Sequence, residues 1–456
     1  RAEDMRRFHP EAILAELRAG GVGGVVYDAS FDPGFTLAIL EVIGRRRQLA
    51  GSAGRLVGVP TPLLRKLRGP ASASLQPKPL AVEQSNTSIA VGERLLVKVL
   101  RRVEPGIHPA VELGRFLGER AGFSRAALVG GAVEYRPNAA RAAPLTVVTC
   151  EQYLANEGDG WSYVIDTLRR WLEETLARPG IAEELRAEPP ADLLQTAASP
   201  WCEPGHPLTG PHREWARELG RLTAELHAAL ASSSGMKDID PEPLGAIDRQ
   251  ALFHGAKSLL RRSFRQARPL ARGVEELARA LDHEAEISAR FRRITQRAVR
   301  ADRIRVHGDF HLGQVLWSGK DFSVIDFEGE PGRSLGQRRL KRSAFVDVAG
   351  MVRSLHYAAH ATEALFTREG MPPAPEALGR LLVVWYRSAA AMFLGAYLEA
   401  SAGAGFVPED RAELAVMLDF CLLEKAVYEV GYEANTRPDW VHIPALGILE
   451  LLELSP

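Results

Sequence analysis

The sequence predicts an α+β protein in which a small sheet precedes a long helical region. Three observations carry that expectation. Strand-like segments cluster in the first third of the chain, up to about residue 154. Long Arg-, Glu-, Leu- and Ala-rich stretches with helical spacing fill about 213–300 and resume from about Phe345 to the end. Only two short strand-like segments, RIRVHGD at 303–309 and FSVIDFE at 322–328, interrupt the helical part.

In chain order, GGVVYD at 23–28 reads as a strand and FTLAILEVIGRRR at 35–47 as an amphipathic helix. GPASASLQPKP at 69–79 is rich in Gly, Pro, Ala and Ser and predicts a linker. SNTSIAVGERLLVKVLRR at 85–102 reads as two strands around a turn at Gly92–Glu93. HPAVELGRFLGERAG at 108–122 has helical spacing, and PLTVVTCEQYL at 144–154 reads as one more strand. The Pro-rich stretch from Arg178 to His212 predicts an insertion or surface loop. These elements suggest three parts: residues 1–79 with the linker, a sheet-bearing part at 80–150, and a helical part at 151–456.

Composition excludes several classes. The 57 basic and 57 acidic residues cancel, so nothing points to nucleic acid or an anionic membrane surface. Of the basic residues only eight are Lys, which draws attention to each one retained. Cys150, Cys202 and Cys421 lie far apart in no ligand spacing and predict reduced thiols in a cytoplasmic protein. The first twenty residues are charged throughout and lack the apolar run of a signal peptide. The apolar stretch Leu381 to Ala396 is interrupted by Arg387 and reads as a buried helix, with no membrane span expected.

The strongest chemical signal is VHGDFHLGQVLW at 306–317 followed by DFSVIDFE at 321–328. Phosphoryl transfer needs a carboxylate near the attacking hydroxyl and oxygen ligands for magnesium on the phosphates. Asp309 suits the first task. Gln314 and Asp326 suit the second, and their spacing matches the kinase pattern of catalytic Asp, metal-binding amide and metal-binding Asp. His307, two residues before Asp309, is placed with the acceptor-binding residues. His311 is expected to brace the loop.

Lys98, in the apolar strand LLVKV, would bury its stem and needs a carboxylate and phosphates as partners. Glu112, on the following helix, is the expected carboxylate, as in the lysine–glutamate pair of kinases. Ser85, Asn86, Thr87 and Ser88 stand where protein kinases carry a Gly-rich loop and would offer donors to the triphosphate. The basic run LGQRRLKR at 335–342 reads as a solvated loop. Near the C-terminus, Lys425, Tyr428, Glu429, Tyr432 and Glu433 share one helical face. A face mixing aromatics with charges suits a sugar, and Trp440 would stack on a ring or belong to the core.

EQSNTSIAVGERLLVKVLRRVEPGIHPAVELGRFL at 83–117 resembles the corresponding stretch of the maltokinases, including those fused to trehalose synthase. So do NEGDGWSY at 156–163, VHGDFHLGQVL with VIDFEGEP at 306–331, FVDVAGMVRSLHYAA at 345–359 and EKAVYEVGYEANTRPDWVHIPALGI at 424–448. The resemblance implies a bilobal protein-kinase-like fold with an N-terminal cap, a small antiparallel-sheet N-lobe and a mostly helical C-lobe. It implies ATP and Mg²⁺, transfer of the γ-phosphoryl to the anomeric hydroxyl of maltose for α-glucan synthesis, and association or fusion with trehalose synthase. It also places the 424–433 helix in the sugar site. The family's cap opens with an aromatic- and basic-rich stretch that is not found here, and the chain starts at Arg1, so a truncated start is expected. A glucosamine kinase, an aminoglycoside phosphotransferase and a catalytically silent partner of trehalose synthase remain the rival readings.

Overall fold

The computed structural model describes residues 2–70, 73–80, 86–178, 181, 185, 187–368 and 375–453. The chain forms two compact units, Arg1–Ala155 with Ile325–Arg339, and Asn156–Val324 with Leu340–Pro456.

The first unit holds a two-stranded ribbon of β1 (Ile13–Ala19) and β2 (Val22–Tyr27). Its main feature is a seven-stranded antiparallel sheet in the order β3-β4-β8-β9-β7-β6-β5. The strands are β3 (Gln48–Ala50), β4 (Gly54–Pro60), β5 (Pro77–Pro79), β6 (Asn86–Val91), β7 (Leu95–Leu100), β8 (Val129–Pro137) and β9 (Leu145–Gln152). Strands from both sides of the expected linker therefore share one sheet, and part of that linker is β5.

Side chains alternate across a strand, so β7 divides its residues between two faces. Leu95 and Val97 join Ile89, Val91, Val133, Val148 and Cys150 on the apolar face. The helix Pro33–Gly44 covers that face with Leu40, Val42 and Ile43. Asp32 caps the helix by accepting from the Gly34 amide at 2.8 Å, and Pro33 supplies a preset first turn. The approach is close: a Cβ on Gly58 would lie 1.9 Å from the Val42 carbonyl oxygen. The β6–β7 turn falls where the sequence places it, with Gly92 and Glu93 both at positive φ (57° and 51°). β8 has no counterpart in the sequence reading, because Gly130 and Gly131 weaken its strand pattern. A Cβ on Gly131 would stand 2.5 Å from Ile43 Cγ2, so the glycine is what admits the helix.

The second unit is mostly helical. Its long helices are Gly160–Leu176, Gly210–Leu230, Ala246–Ala267, Glu284–Gln296, Phe345–Arg368, Pro375–Ala400 and Arg411–Thr436, and His442–Leu451 is the last. Helix Pro375–Ala400 contains the apolar stretch seen in the sequence, and 78% of its most apolar window is buried inside the protein. Gly220 brings helix Gly210–Leu230 against it, since a Cβ there would sit 2.2 Å from the Phe393 carbonyl oxygen. The Pro-rich stretch is more than a surface loop: Leu193, Thr196 and Leu208 are buried, and the Pro189 carbonyl takes a hydrogen bond from Arg387 at 3.0 Å.

The strands of this unit are short. β10 (Gly158–Asp159), β13 (Val315–Trp317) and β14 (Phe322–Val324) make one small sheet, and β11 (Glu242–Pro243) pairs with β12 (Asp302–Arg303). The expected strands at 303–309 and 322–328 thus shrink to their first residues. Beyond each of them the chain is irregular, and those irregular stretches carry Asp309 in this unit and Asp326 in the first.

Candidate active site

In the first unit the second face of the sheet is polar. Asn86 and Ser88 on β6, Lys98 on β7, and Thr149 and Glu151 on β9 share it by alternation and register. Lys98 is 5% exposed. Its Nζ donates to Asp326 Oδ1 at 2.8 Å and lies 3.5 Å from Glu151 Oε2. Burial pulls the ammonium's pKa down, but the charges of Glu151 and Asp326, with the Asp326 hydrogen bond, hold it above the ordinary lysine value. The expected Lys98–Glu112 pair is not the one formed. Glu112 grips the Arg339 guanidinium through two bonds of 2.6 and 3.0 Å, and Glu151 stands as the lysine's buried carboxylate.

Asp326 follows β14 by two residues and has a left-handed backbone, φ 66°, which a non-glycine residue adopts at some cost. The Glu328 amide donates to the Asp326 carbonyl at 2.8 Å, a tight turn that sets the two carboxylates side by side. Burial, and then the charge of Asp326, push the Glu328 carboxyl up to about 7. Asn86 Nδ2 donates to Glu328 Oε1 at 3.1 Å. Asn86 therefore contributes an amide to this cluster, while Thr87 accepts from Arg101 at 2.9 and 3.1 Å and Ser88 lies buried opposite Lys98. Ser85 lies outside the described residues.

Three carboxylates thus surround one lysine. The excess of oxygen donors with negative charge suits a hard divalent cation, and Asp326 and Glu328 are its candidate ligands here. No group of three His, Cys, Asp or Glu converges on one point among the described residues, so phosphate oxygens and water would complete such a shell.

The segment after Asp326 is ion-paired and not solvated as its basic run suggests. Arg338 donates to the carbonyls of Arg333 (2.7 Å) and Pro331 (3.1 Å), and Arg339 is held by Glu112. In the second unit, Lys341 meets Glu242 at 2.7 Å and Arg342 meets Glu424 at 3.4 Å.

The loop carrying Asp309 belongs to the second unit, and helix Phe345–Arg368 builds it. Asp347, Gly350 and Ser354 lie at i, i+3 and i+7, on one face. Asp347 accepts from the amides of His307 and Gly308, both at 2.8 Å. Gly350 lets the loop touch the helix, since a Cβ there would lie 2.4 Å from the Phe310 carbonyl oxygen. Ser354 Oγ accepts from the Leu312 amide at 3.1 Å. Behind Asp347, His227 Nε2 lies 3.1 Å away and its Nδ1 lies 3.0 Å from the Tyr397 hydroxyl, all fully buried. Burial alone would raise the Asp347 carboxyl; the bonds from His227 and Gly308 hold it below the usual range.

Asp309 itself is half-buried and carries no side-chain partner among the described residues. His307 is buried, and its backbone amide donates to Asp347. His311 Nδ1 accepts from the Gly313 amide at 3.1 Å, and its Nε2 lies 3.5 Å from Gln314 Nε2.

The C-terminal helix face divides. Glu429 accepts from Arg353 Nε at 2.9 Å, and Glu433 takes the Tyr357 hydroxyl at 3.0 Å and Arg437 at 2.6 and 2.9 Å. Both carboxylates are buried and paired within the protein, at 8% and 1% exposure. Lys425 sits over the Tyr428 ring at 5.0 Å, and Tyr428 and Tyr432 stack at 6.2 Å. Arg437 continues that row over Trp440 at 4.8 Å. The sequence reading missed Glu151, Glu328, Asp347, Arg353 and Tyr357. Glu151 and Asp347 each show a signal, a carboxylate at a core position of an apolar run.

Comparison with known proteins identifies the family. A curated glucosamine kinase of Streptacidiphilus jiangxiensis is 28% identical over 384 residues, covering 82% of this chain and 73% of the relative. One of Mycolicibacterium smegmatis is 27% identical over 379 residues, covering 82% and 79%. Among solved structures, a glucosamine kinase in complex with glucosamine, ADP and inorganic phosphate superposes with a TM-score of 0.63 at 24% identity, over 96% of this chain and 87% of that one. A second crystal form of a glucosamine kinase gives 0.64 at 23% identity, over 96% and 87%. The fold is kinase-like, and because residues 76–329 match its family pattern, the chain belongs to the phosphotransferase enzyme family, APH.

Proposed function

We propose that this chain is an ATP-dependent sugar kinase whose acceptor is an amino sugar of the glucosamine kind. The observation that carries the chemistry is Asp309, a half-buried carboxylate without a side-chain partner among the described residues, on a loop pinned by Asp347. A carboxylate so held can orient an acceptor hydroxyl and take its proton as the γ-phosphoryl leaves ATP. Lys98 would place the phosphates. Asp326 with Glu328 would hold magnesium, and Gln314 keeps its candidacy on sequence spacing. Bound there, magnesium would neutralise charge on the transferring phosphoryl group. The chain's own part is positioning: fixed donors and a fixed acceptor replace mobile water.

The choice of acceptor is supported by the relatives, two glucosamine kinases matched over 82% of the chain. Maltose is the second reading. It is favoured by the maltokinase-like segments and by Lys425, whose charge would repel an ammonium group. With Glu429 and Glu433 spent on Arg353, Tyr357 and Arg437, the outward part of the C-terminal face is aromatic, which suits either sugar. ATP with a panel of glucosamine, glucose and maltose, read by phosphorus NMR, tests the proposal. Glucosamine should be phosphorylated best. Preference for maltose would restore the second reading, and no turnover with any sugar would remove both.

A further inference from the structure

The polar face of the seven-stranded sheet assigns a role to a residue that the kinase comparison would give to another. Lys98 needs a standing counter-ion, because a buried ammonium without one is costly. Asp326 is its shortest contact at 2.8 Å. That contact cannot be its permanent anchor, since a carboxylate that also binds a divalent cation surrenders much of its charge to it. Glu112, the helix residue expected for the task, is committed to Arg339 through two bonds.

Glu151 remains. It is 4% exposed, and Lys98 is its cation among the described residues. Its strand β9 is laddered to β7 on one side and β8 on the other, so its backbone has little freedom. Thr149, two residues back on the same face, donates from Oγ1 to Glu151 Oε1 at 3.0 Å and turns the carboxylate so that Oε2 faces the lysine. A carboxylate on a central strand is held more rigidly than one on a helix that must also secure another segment.

Resting on the kinase reading above, we propose that Glu151, and not Glu112, is the positioning residue that holds Lys98 for the nucleotide phosphates. Glu112 then serves to fasten the 325–339 segment through Arg339.

The test is a double-mutant cycle read by binding of a fluorescent ADP derivative with Mg²⁺, supported by thermal unfolding of each variant. Glu151→Gln should weaken nucleotide binding about tenfold, and should add nothing in a Lys98→Ala background, because its effect runs through the lysine. Glu151→Asp, which keeps the charge, should recover part of the loss. Glu112→Gln should cost the same with and without Lys98. The assignment is overturned if Glu151→Gln costs equally in both backgrounds, if Gln and Asp lose equally, or if Glu112→Gln is the change whose effect vanishes without Lys98. A wild-type protein that binds no nucleotide overturns the kinase reading itself, a different result from any of these.

Discussion

Lys98 and Asp309 are handled in opposite ways. Lys98 is buried among carboxylates and touches two of them, at 2.8 and 3.5 Å. Asp309 touches no side chain among the described residues, yet the loop beneath it is bolted to helix Phe345–Arg368 through His307, Gly308 and Leu312. The difference fits the tasks proposed for the two groups. A lysine that grips phosphates keeps its charge throughout, so a permanent counter-ion costs it nothing in function. A carboxylate that must accept a proton has to stay open, so the rigidity is placed in the backbone around it.

That contrast predicts two separable losses. Asp309→Asn should leave the thermal midpoint nearly unchanged, since no bond is lost, while turnover falls about 10²–10⁴-fold, the usual cost of removing a general base. Asp347→Ala should do the reverse in its first effect: it orphans the His307 and Gly308 amides and His227, and should cost about 3–5 kcal/mol of stability. Steady-state kinetics and calorimetry on both variants decide it. An Asp309→Asn protein that is folded and still active would break the comparison.

The two ends of the contrast were not equally legible. The spacing of Asp309, Gln314 and Asp326 lies within twenty residues and can be read directly. The supports cannot, because they are long-range. Asp347 lies 40 residues beyond His307, and Arg353 lies 76 residues before Glu429. The Lys98–Glu112 expectation failed because sequence order suggests the next helix, whereas pairing on a sheet is set by neighbouring strands, and β9 arrives about fifty residues later. The sheet-bearing part and the helical region were readable from periodicity, while the antiparallel order of the sheet was implied by the family resemblance. β8 was not, since its glycines are there for contact with the covering helix and hide the strand pattern.

The C-terminal face sharpens the same distinction between open and anchored carboxylates. Glu429 faces Arg353, which is 1% exposed. Glu429→Ala would strand that guanidinium in the core, so the expected result is a loss of about 3 kcal/mol in stability, in the range for breaking a buried pair. A change confined to the acceptor KM, with the unfolding midpoint intact, would show instead that Glu429 contacts the sugar.

The smallest effect concerns buried histidines that stay neutral. His212 is enclosed by Trp171 and Trp385, with Nε2 2.8 Å from Ser388 Oγ. Burial pushes its pKa down to about 3, and burial does the same for His356, also to about 3. In the unfolded chain both titrate at about 6.5. Between about pH 6.5 and pH 3 these two sites therefore hold more protons in the unfolded state than in the folded one, and their contribution to stability falls as pH drops through that window. Above about pH 6.5 both states are neutral and the contribution is flat. Each histidine adds a slope of at most about 1.4 kcal/mol per pH unit. Carboxylates with depressed pKa values, such as Glu450 at about 2, lose their contribution as pH falls from about 5 toward 2. Glu328, pushed up to about 7, acts in the opposite sense between about pH 7 and pH 5, so the His212 contribution is read there as the difference in slope between wild type and a His212 variant. His212→Asn should lower stability at about pH 8, because the cavity between the tryptophans is filled less well, but it should flatten the slope between about pH 7 and pH 5. An unchanged slope would mean that His212 takes up its proton in the folded protein, and that the site between Trp171 and Trp385 admits water.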